Sequence, residues 1–154
     1  MPTTKKPRRR RPRSRFTVQL AVAGAPSATL LRRFALAALQ TSAPARAEIT
    51  LRVVSASESE KLNKKYRAKA SPTNVLSFPY GGGSGDVVLC HPVIRKEARE
   101  QRKPLAAHYA HLVVHGILHL RRYDHLRKSD AARMERMEIR ILRRLGFGDP
   151  YEVK

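Results

Sequence analysis

The sequence has little cysteine, little acid and few aromatic residues: one Cys, no Trp, 12 acidic residues and 6% aromatic residues among 154. A single cysteine, Cys90, excludes an internal disulfide and is typical of a reducing compartment. No apolar run reaches the about 20 residues that a membrane-spanning helix needs. The basic N-terminal residues are not followed by an apolar stretch, unlike those of a secretory signal peptide. These absences predict an intracellular, cytoplasmic protein without a membrane segment.

Basic residues greatly outnumber acidic ones. Lys and Arg total 32 against 12 Asp and Glu, which gives a formal net charge of +20. Eight of the basic residues lie in residues 1–15, where three prolines and the lack of apolar residues after Met1 predict a disordered tail. Residues 16–154 retain a formal excess of +12 and are long enough for one domain with its own core. A solvated surface would account for this charge, but a phosphate-rich partner accounts for it better.

Hydrophobic patterning predicts a single α+β domain, with a small mixed sheet covered by helices. β-branched and aromatic residues predict strands at 16–22, 48–54, 74–80 and 86–90. The GGGSG segment at 81–85 predicts a flexible hairpin connection between the last two strands. Cap residues and apolar residues at helical spacing predict five helices, which begin at Ser27, at Ser57, at 92, at 104 and at Ser129.

The segment 104–120 is the most informative part of the chain. It contains four histidines and no Asp, Glu, Lys or Arg, which predicts a buried central helix. His111, His115 and His119 follow one another at four-residue spacing and therefore share one helix face. A helix rises about 1.5 Å per residue, so His111 and His119 lie about 12 Å apart and cannot easily share one ion. The candidate pairs are His111 with His115, and His115 with His119.

His125 favours the second pair, because it follows the predicted end of the helix closely enough to fold back toward His119. Three imidazoles and an open fourth position describe a catalytic zinc site, since structural zinc is closed by four protein ligands. Asp124, beside His125, would orient a ligand or bond to the water, or be an ordinary turn carboxylate. Gly116 stands where zinc peptidases carry the glutamate after their first histidine, which argues against a peptidase.

Residues 115–125, HGILHLRRYDH, resemble the signature His-Gly-x-Leu-His-Leu-x-Gly-Tyr-Asp-His of the YbeY family. Arg122 stands where that pattern has its second glycine. The resemblance covers about residues 16–151, because further blocks match in the same order, namely LNKKYR at 62–67, PTNVLSFP at 72–79, GD at 85–86, LGF at 145–147 and DPY at 149–151.

YbeY proteins are bacterial and organellar endoribonucleases of ribosomal RNA maturation. The resemblance therefore implies a single-strand-selective, zinc-dependent endoribonuclease that acts in small-subunit rRNA 3′-end maturation and ribosome quality control. It implies one zinc ion per chain on His115, His119 and His125, and an essential arginine at Arg67. Phosphodiester chemistry agrees with Arg67, because a guanidinium fork can bind two non-bridging oxygens.

Two further side chains are candidates to support the ligands or the substrate. Ser77 lies in one of the matching blocks, and its hydroxyl is expected to bond to backbone or substrate rather than to attack. His111 shares the helix face of the metal ligands.

A second function fits the same charge distribution. A non-catalytic ribosome-assembly or RNA-binding factor with a structural metal would have the same partners, namely ribosomal RNA and the ribosome or its proteins. The open ligand position favours the enzyme, because a structural site would need a fourth protein ligand. Cys90, His91 and His111 are the candidates for that fourth position.

Overall fold

The computed structural model describes residues 14–40, 47–121 and 128–152. The strands and helices of these ranges confirm the predicted α+β class of a single domain. Residues 1–13 of the predicted tail lie outside the described residues. β1 begins at Arg15, which the prediction had assigned to the tail as its last residue. In chain order, the elements are β1 (Arg15–Leu20), α1 (Ala28–Leu39), β2 (Glu48–Val54), α2 (Ala56–Arg67), β3 (Val75–Gly81), β4 (Ser84–Cys90), α3 (His91–Glu100), α4 (Leu105–Leu120) and α5 (Lys128–Arg144).

These strands form one mixed sheet in the order β1-β2-β4-β3. β2 runs parallel to both β1 and β4, whereas β3 is antiparallel to β4. The β3–β4 hairpin is tighter than predicted, because Gly81 pairs with Ser84. Gly81, Gly82 and Gly83 have φ angles of 103°, 63° and 83°, which glycine adopts without the steric penalty of a Cβ. The glycine run therefore forms a specific tight turn rather than a flexible five-residue connection.

Serine hydroxyls determine where two of the helices begin. Ser27 caps α1 as predicted, because its side chain accepts a backbone N–H of the first turn. The prediction that Ser57 begins α2 is wrong, since the cap is Ser55, whose hydroxyl accepts the N–H of Glu58 at 3.2 Å. Ser55 directly follows the last residue of β2, so the helix begins as soon as the strand ends.

The last helix begins at Lys128, one residue before the predicted cap at Ser129, and ends close to the predicted position. Gly146 follows it with a φ of 89°, and a backbone hydrogen bond from Phe147 closes the helix end. This closure turns the chain, and residues 149–151 then return toward α4.

The sheet separates two apolar clusters. Ile49, Leu51 and Val87 lie in the main core together with buried residues of α1, α4 and α5. Val88 and Leu76 belong to a smaller cluster that includes Leu62 of α2, because successive side chains of a strand point to opposite faces. α4 contacts the sheet and α1, α3 and α5, which fixes the position of its histidines. Across the described ranges, no helix is long and apolar enough to cross a membrane.

Candidate metal centre

Three histidines lie along one face of α4. The ring centroids of His111 and His115 are 6.1 Å apart, and those of His115 and His119 are 4.6 Å apart. The Nε2 atoms of His115 and His119 lie 3.0 Å from each other, a contact that needs a proton or a cation between the two nitrogens. Two nitrogens bound to one tetrahedral zinc ion lie about 3.3 Å apart, so a small adjustment would admit the ion.

Glu138 of α5 lies behind His115. Its side chain is fully buried, on the same side of α5 as the core residue Met134. One carboxylate oxygen, Oε1, accepts a hydrogen bond from Nδ1–H of His115. The other, Oε2, accepts a hydrogen bond from the hydroxyl of Tyr151 and lies 3.4 Å from Nε2 of His111. The carboxylate is therefore surrounded by donors.

These donors keep Glu138 ionised. Burial alone raises the pKa of a carboxyl group, but hydrogen bonds from His111 and His115, the charge of His115 and the bond from Tyr151 together lower the pKa of Glu138 to about 2. Burial and the bond to this carboxylate raise the pKa of the Tyr151 hydroxyl. Because an ionised carboxylate only accepts hydrogen bonds, the proton between it and His115 is on Nδ1. In a neutral ring, Nε2 of His115 then carries the lone pair.

Two overlapping groups of ligand atoms meet at His115. One is the Nε2 pair of His115 and His119. In the other, His111, His115 and Glu138 offer ligand atoms that all lie within 4.8 Å of one another, a group that could hold a metal ion. The donor chemistry of both groups suits a divalent ion such as zinc, which accepts nitrogen and carboxylate ligands.

Sequence reasoning missed Glu138 and gave no role to Tyr151. One signal was available for Glu138, since this carboxylate lies four residues after Met134 and three before Ile141, in the apolar stripe of α5. A buried acid at such a position usually has a specific partner. Tyr151 lies in the DPY block that matches the family, but nothing in the sequence connected it with α4, because it follows the last helix in a short irregular segment.

Four residues of the signature lie outside the described residues, namely Arg122, Tyr123, Asp124 and His125. The structure brings His115 and His119 together. The roles of His125 as third ligand and of Asp124 beside it remain predictions.

Ser77 and Gly116 hold α4 against the sheet. The hydroxyl of Ser77 on β3 donates to the carbonyl oxygen of Gly116 at 3.0 Å, so it bonds to backbone. A Cβ at Gly116 would lie 2.7 Å from Cγ1 of Val87 on β4, closer than side-chain carbons pack. The absence of a side chain at Gly116 therefore lets the helix approach the sheet at the turn between His115 and His119.

Arg67 is the exposed last residue of α2. Its neighbour Tyr66 packs edge-on against Phe78 of β3, with the ring centroids 5.1 Å apart. Ser77, on the opposite face of β3, contacts α4 instead. The two faces of the edge strand β3 therefore contact different helices. The C-terminal end of α2, which carries Arg67, lies on one face, and α4 lies on the other.

The remaining described histidines are engaged in the core. Nε2 of His108 lies 3.1 Å from Oε1 of Glu97, and Nδ1 of His91 lies 2.6 Å from the hydroxyl of Tyr109. Burial lowers the pKa of both His91 and His108. These two histidines therefore have the structural role that is usual for a single buried histidine.

Comparisons with known proteins agree with the signature. The family profile described as Endoribonuclease YbeY matches residues 23–146. The Endoribonuclease YbeY of Nitrosomonas eutropha is 48% identical over 144 residues, which cover 90% of this chain and 99% of that protein. The Endoribonuclease YbeY of Thiobacillus denitrificans is 49% identical over 148 residues, which cover 91% of this chain and 97% of that protein. The solution structure of TM1509 from Thermotoga maritima, 22% identical, has the same fold with a TM-score of 0.59 over 90% of this chain and 99% of that one. The chain therefore belongs to the YbeY endoribonuclease family.

Proposed function

We propose that this chain is a single-strand-selective, zinc-dependent endoribonuclease of ribosomal RNA processing, active in 3′-end maturation of the small-subunit RNA and in ribosome quality control. The observation that carries the proposal is the facing Nε2 pair of His115 and His119, with Glu138 behind His115. Imidazole ligands favour zinc over magnesium and calcium, which prefer oxygen. We expect one zinc ion per chain, a cytoplasmic location, and the ribosome or its proteins as partners.

Each site residue has a distinct role in the proposed reaction. His115 and His119 bind the ion, and His125 is the expected third ligand. When bound, zinc supplies the Lewis acid that activates water near neutral pH and offsets developing negative charge. Arg67 binds the non-bridging oxygens of the scissile phosphate, where charge increases during cleavage. Asp124 orients a ligand or the water.

One side of α5 supports RNA as the substrate. The exposed arginines of this side form the arginine face, which extends over about 16 Å of helix. By helical spacing, Glu135 and Glu138 lie on other sides of α5. Arg32 and Arg33 of α1 line a groove together with Arg144. Such a surface binds backbone phosphates without reading the base sequence. The arginine face consists of Arg133, Arg136, Arg140, Arg143 and Arg144.

Replacing Arg136, Arg140 and Arg144 together by glutamine should weaken binding of single-stranded RNA and make it less salt-dependent. Each phosphate contact on a single strand contributes about 0.7 to the slope of log K against log salt, so three lost contacts should reduce that slope by about 2. Fluorescence anisotropy at several salt concentrations measures both quantities.

The matched control removes three exposed bases from α3, namely Arg95, Lys96 and Arg99. That helix also carries two acids, Glu97 and Glu100, and Lys96 lies 3.9 Å from Glu100. We expect a clearly smaller change of slope in this control. Equal changes in both triple variants would mean that only the total charge matters and that the arginine face has no special role.

Removal of zinc should abolish cleavage of single-stranded RNA, and added zinc should restore it. Chelator-treated and zinc-reconstituted proteins are compared on a labelled RNA, as a single strand and paired with its complement. The metal-free protein should still bind RNA, because the arginine face needs no metal. If the zinc-loaded protein binds RNA but cleaves none, even with ribosomes present, the chain is an assembly factor with a structural metal.

A further inference from the structure

The two ring nitrogens of His115 have different partners. Nδ1–H donates to Glu138, and Nε2 faces Nε2 of His119. The two nitrogens of an imidazole point away from each other. An ion bound between His115 and His119 is therefore held on the side of the ring that faces away from Glu138.

The C-terminal segment after α5 places the Tyr151 hydroxyl on the carboxylate of Glu138. Nζ of Lys103 donates to the carbonyl oxygen of Pro150 at 2.8 Å, and the N–H of Tyr151 donates to Oδ1 of Asp149 at 2.8 Å. These bonds attach the segment to the α3–α4 connection on one side and fix its turn on the other. The Tyr151 hydroxyl then donates to Oε2 of Glu138.

His111 completes this support. Its ring packs edge-on against Tyr151, with the centroids 5.3 Å apart, and its Nε2 lies 3.3 Å from the Tyr151 hydroxyl. Nε2 of His111 also lies 3.4 Å from Oε2 of Glu138. Both oxygens of the buried carboxylate are thus occupied by partners from two parts of the chain, α4 and the C-terminal segment.

From these contacts we infer that Glu138 is a positioning residue for the metal, which fixes the Nδ1–H tautomer and the ring orientation of His115, and that Tyr151 and His111 hold Glu138 in place. The inference rests on the proposed function, because it takes the ion to lie between His115 and His119. A carboxylate on the far nitrogen increases the basicity of a ligating imidazole and limits its rotation. Glu138 then acts through His115 and does not itself bind the ion.

Glu138→Gln, which keeps the shape of the side chain and removes its charge, tests the inference. The zinc affinity, measured by competition with a chromophoric chelator, should fall by about 10–100-fold. The matched control is Glu135→Gln, an exposed glutamate of the same helix, and its affinity should not change. Nitrogen NMR of the metal-free proteins should show His115 with its proton on Nδ1 in the unaltered chain and a mixture of tautomers in Glu138→Gln.

Tyr151→Phe is a second, milder variant that remains informative if Glu138→Gln folds poorly. It removes only the hydroxyl that donates to Glu138. Its zinc affinity should fall by less than about 10-fold, because Tyr151 contacts Glu138 and not a ligand, and partners of a ligand contribute about 10–100-fold to metal affinity. Tyr66→Phe, another exposed tyrosine, is the control and should bind zinc like the unaltered chain.

The possible outcomes separate the inference from the proposed function. Unchanged zinc affinity and an unchanged His115 tautomer in Glu138→Gln and Tyr151→Phe would overturn the inference alone. Loss of all zinc from Glu138→Gln and from His111→Ala, with retention by His119→Ala, would make Glu138 a direct ligand and overturn the positioning role. Absence of zinc binding by the unaltered chain would contradict the proposed function itself.

Discussion

His119→Ala should leave the protein with well below one zinc ion per chain. The substitution removes one of the two nitrogens that face each other at 3.0 Å, so the ion loses a ligand rather than a supporting contact. Removing a residue that only hydrogen-bonds to a ligand lowers metal affinity by up to about 100-fold. We expect the zinc affinity of His119→Ala to fall by more than that. Elemental analysis after dialysis gives the stoichiometry, and chelator competition gives the affinity.

His111→Ala is the matched control, because it removes an imidazole from the same face of α4. Since His111 contacts Glu138 and Tyr151 and is not a proposed ligand, this variant should retain close to one zinc ion with a modestly lower affinity. The reverse result, with zinc retained by His119→Ala and lost from His111→Ala, would assign the ion to the group of His111, His115 and Glu138.

Arg67→Ala should lower cleavage of single-stranded RNA by two or more orders of magnitude. If Arg67 contacts the scissile phosphate, its benefit is largest in the transition state, where the non-bridging oxygens gain charge, and the loss of one such donor costs about 3 kcal/mol. RNA binding should weaken much less, because many other basic residues hold the backbone. Cleavage rates and affinities are measured in parallel on the same RNA, with the zinc content determined in each variant.

Two further variants make this result specific. Arg67→Lys should restore only part of the cleavage rate, because an ammonium keeps the charge but loses the planar fork. Lys64→Ala removes an exposed positive charge from the same helix and should leave cleavage nearly unchanged. Equal losses of binding and cleavage in Arg67→Ala would show that Arg67 belongs to the surface that holds RNA.

Much of the fold and part of the candidate metal centre could be predicted because the relevant signals are local. β2 has the predicted bounds, and α4 begins within one residue of its predicted start and ends where predicted. Four-residue spacing on one helix left two candidate pairs, His111 with His115 and His115 with His119, and the position of His125 favoured the second. The family signature could be recognised because its residues are nearly contiguous in the chain.

The start of α2 shows where local signals stop being sufficient. Ser55 and Ser57 are each followed three residues later by a glutamate, at Glu58 and Glu60, so the sequence offers two equivalent capping boxes. Ser55 is the cap because β2 remains paired with β4 up to Val54. The strand pairing in the sheet therefore determines which of the two serines caps α2, which the local sequence alone did not.

The support behind His115 was decided by tertiary structure alone. The sequence by itself determined that α4 carries a row of histidines and that α5 has one acid within an apolar stripe. It could not assign that acid to His115, which lies 23 positions away, nor bring Tyr151 onto it. Spacing within a helix defines which residues share a face, but a contact between two helices depends on how they pack and on where the chain returns after them.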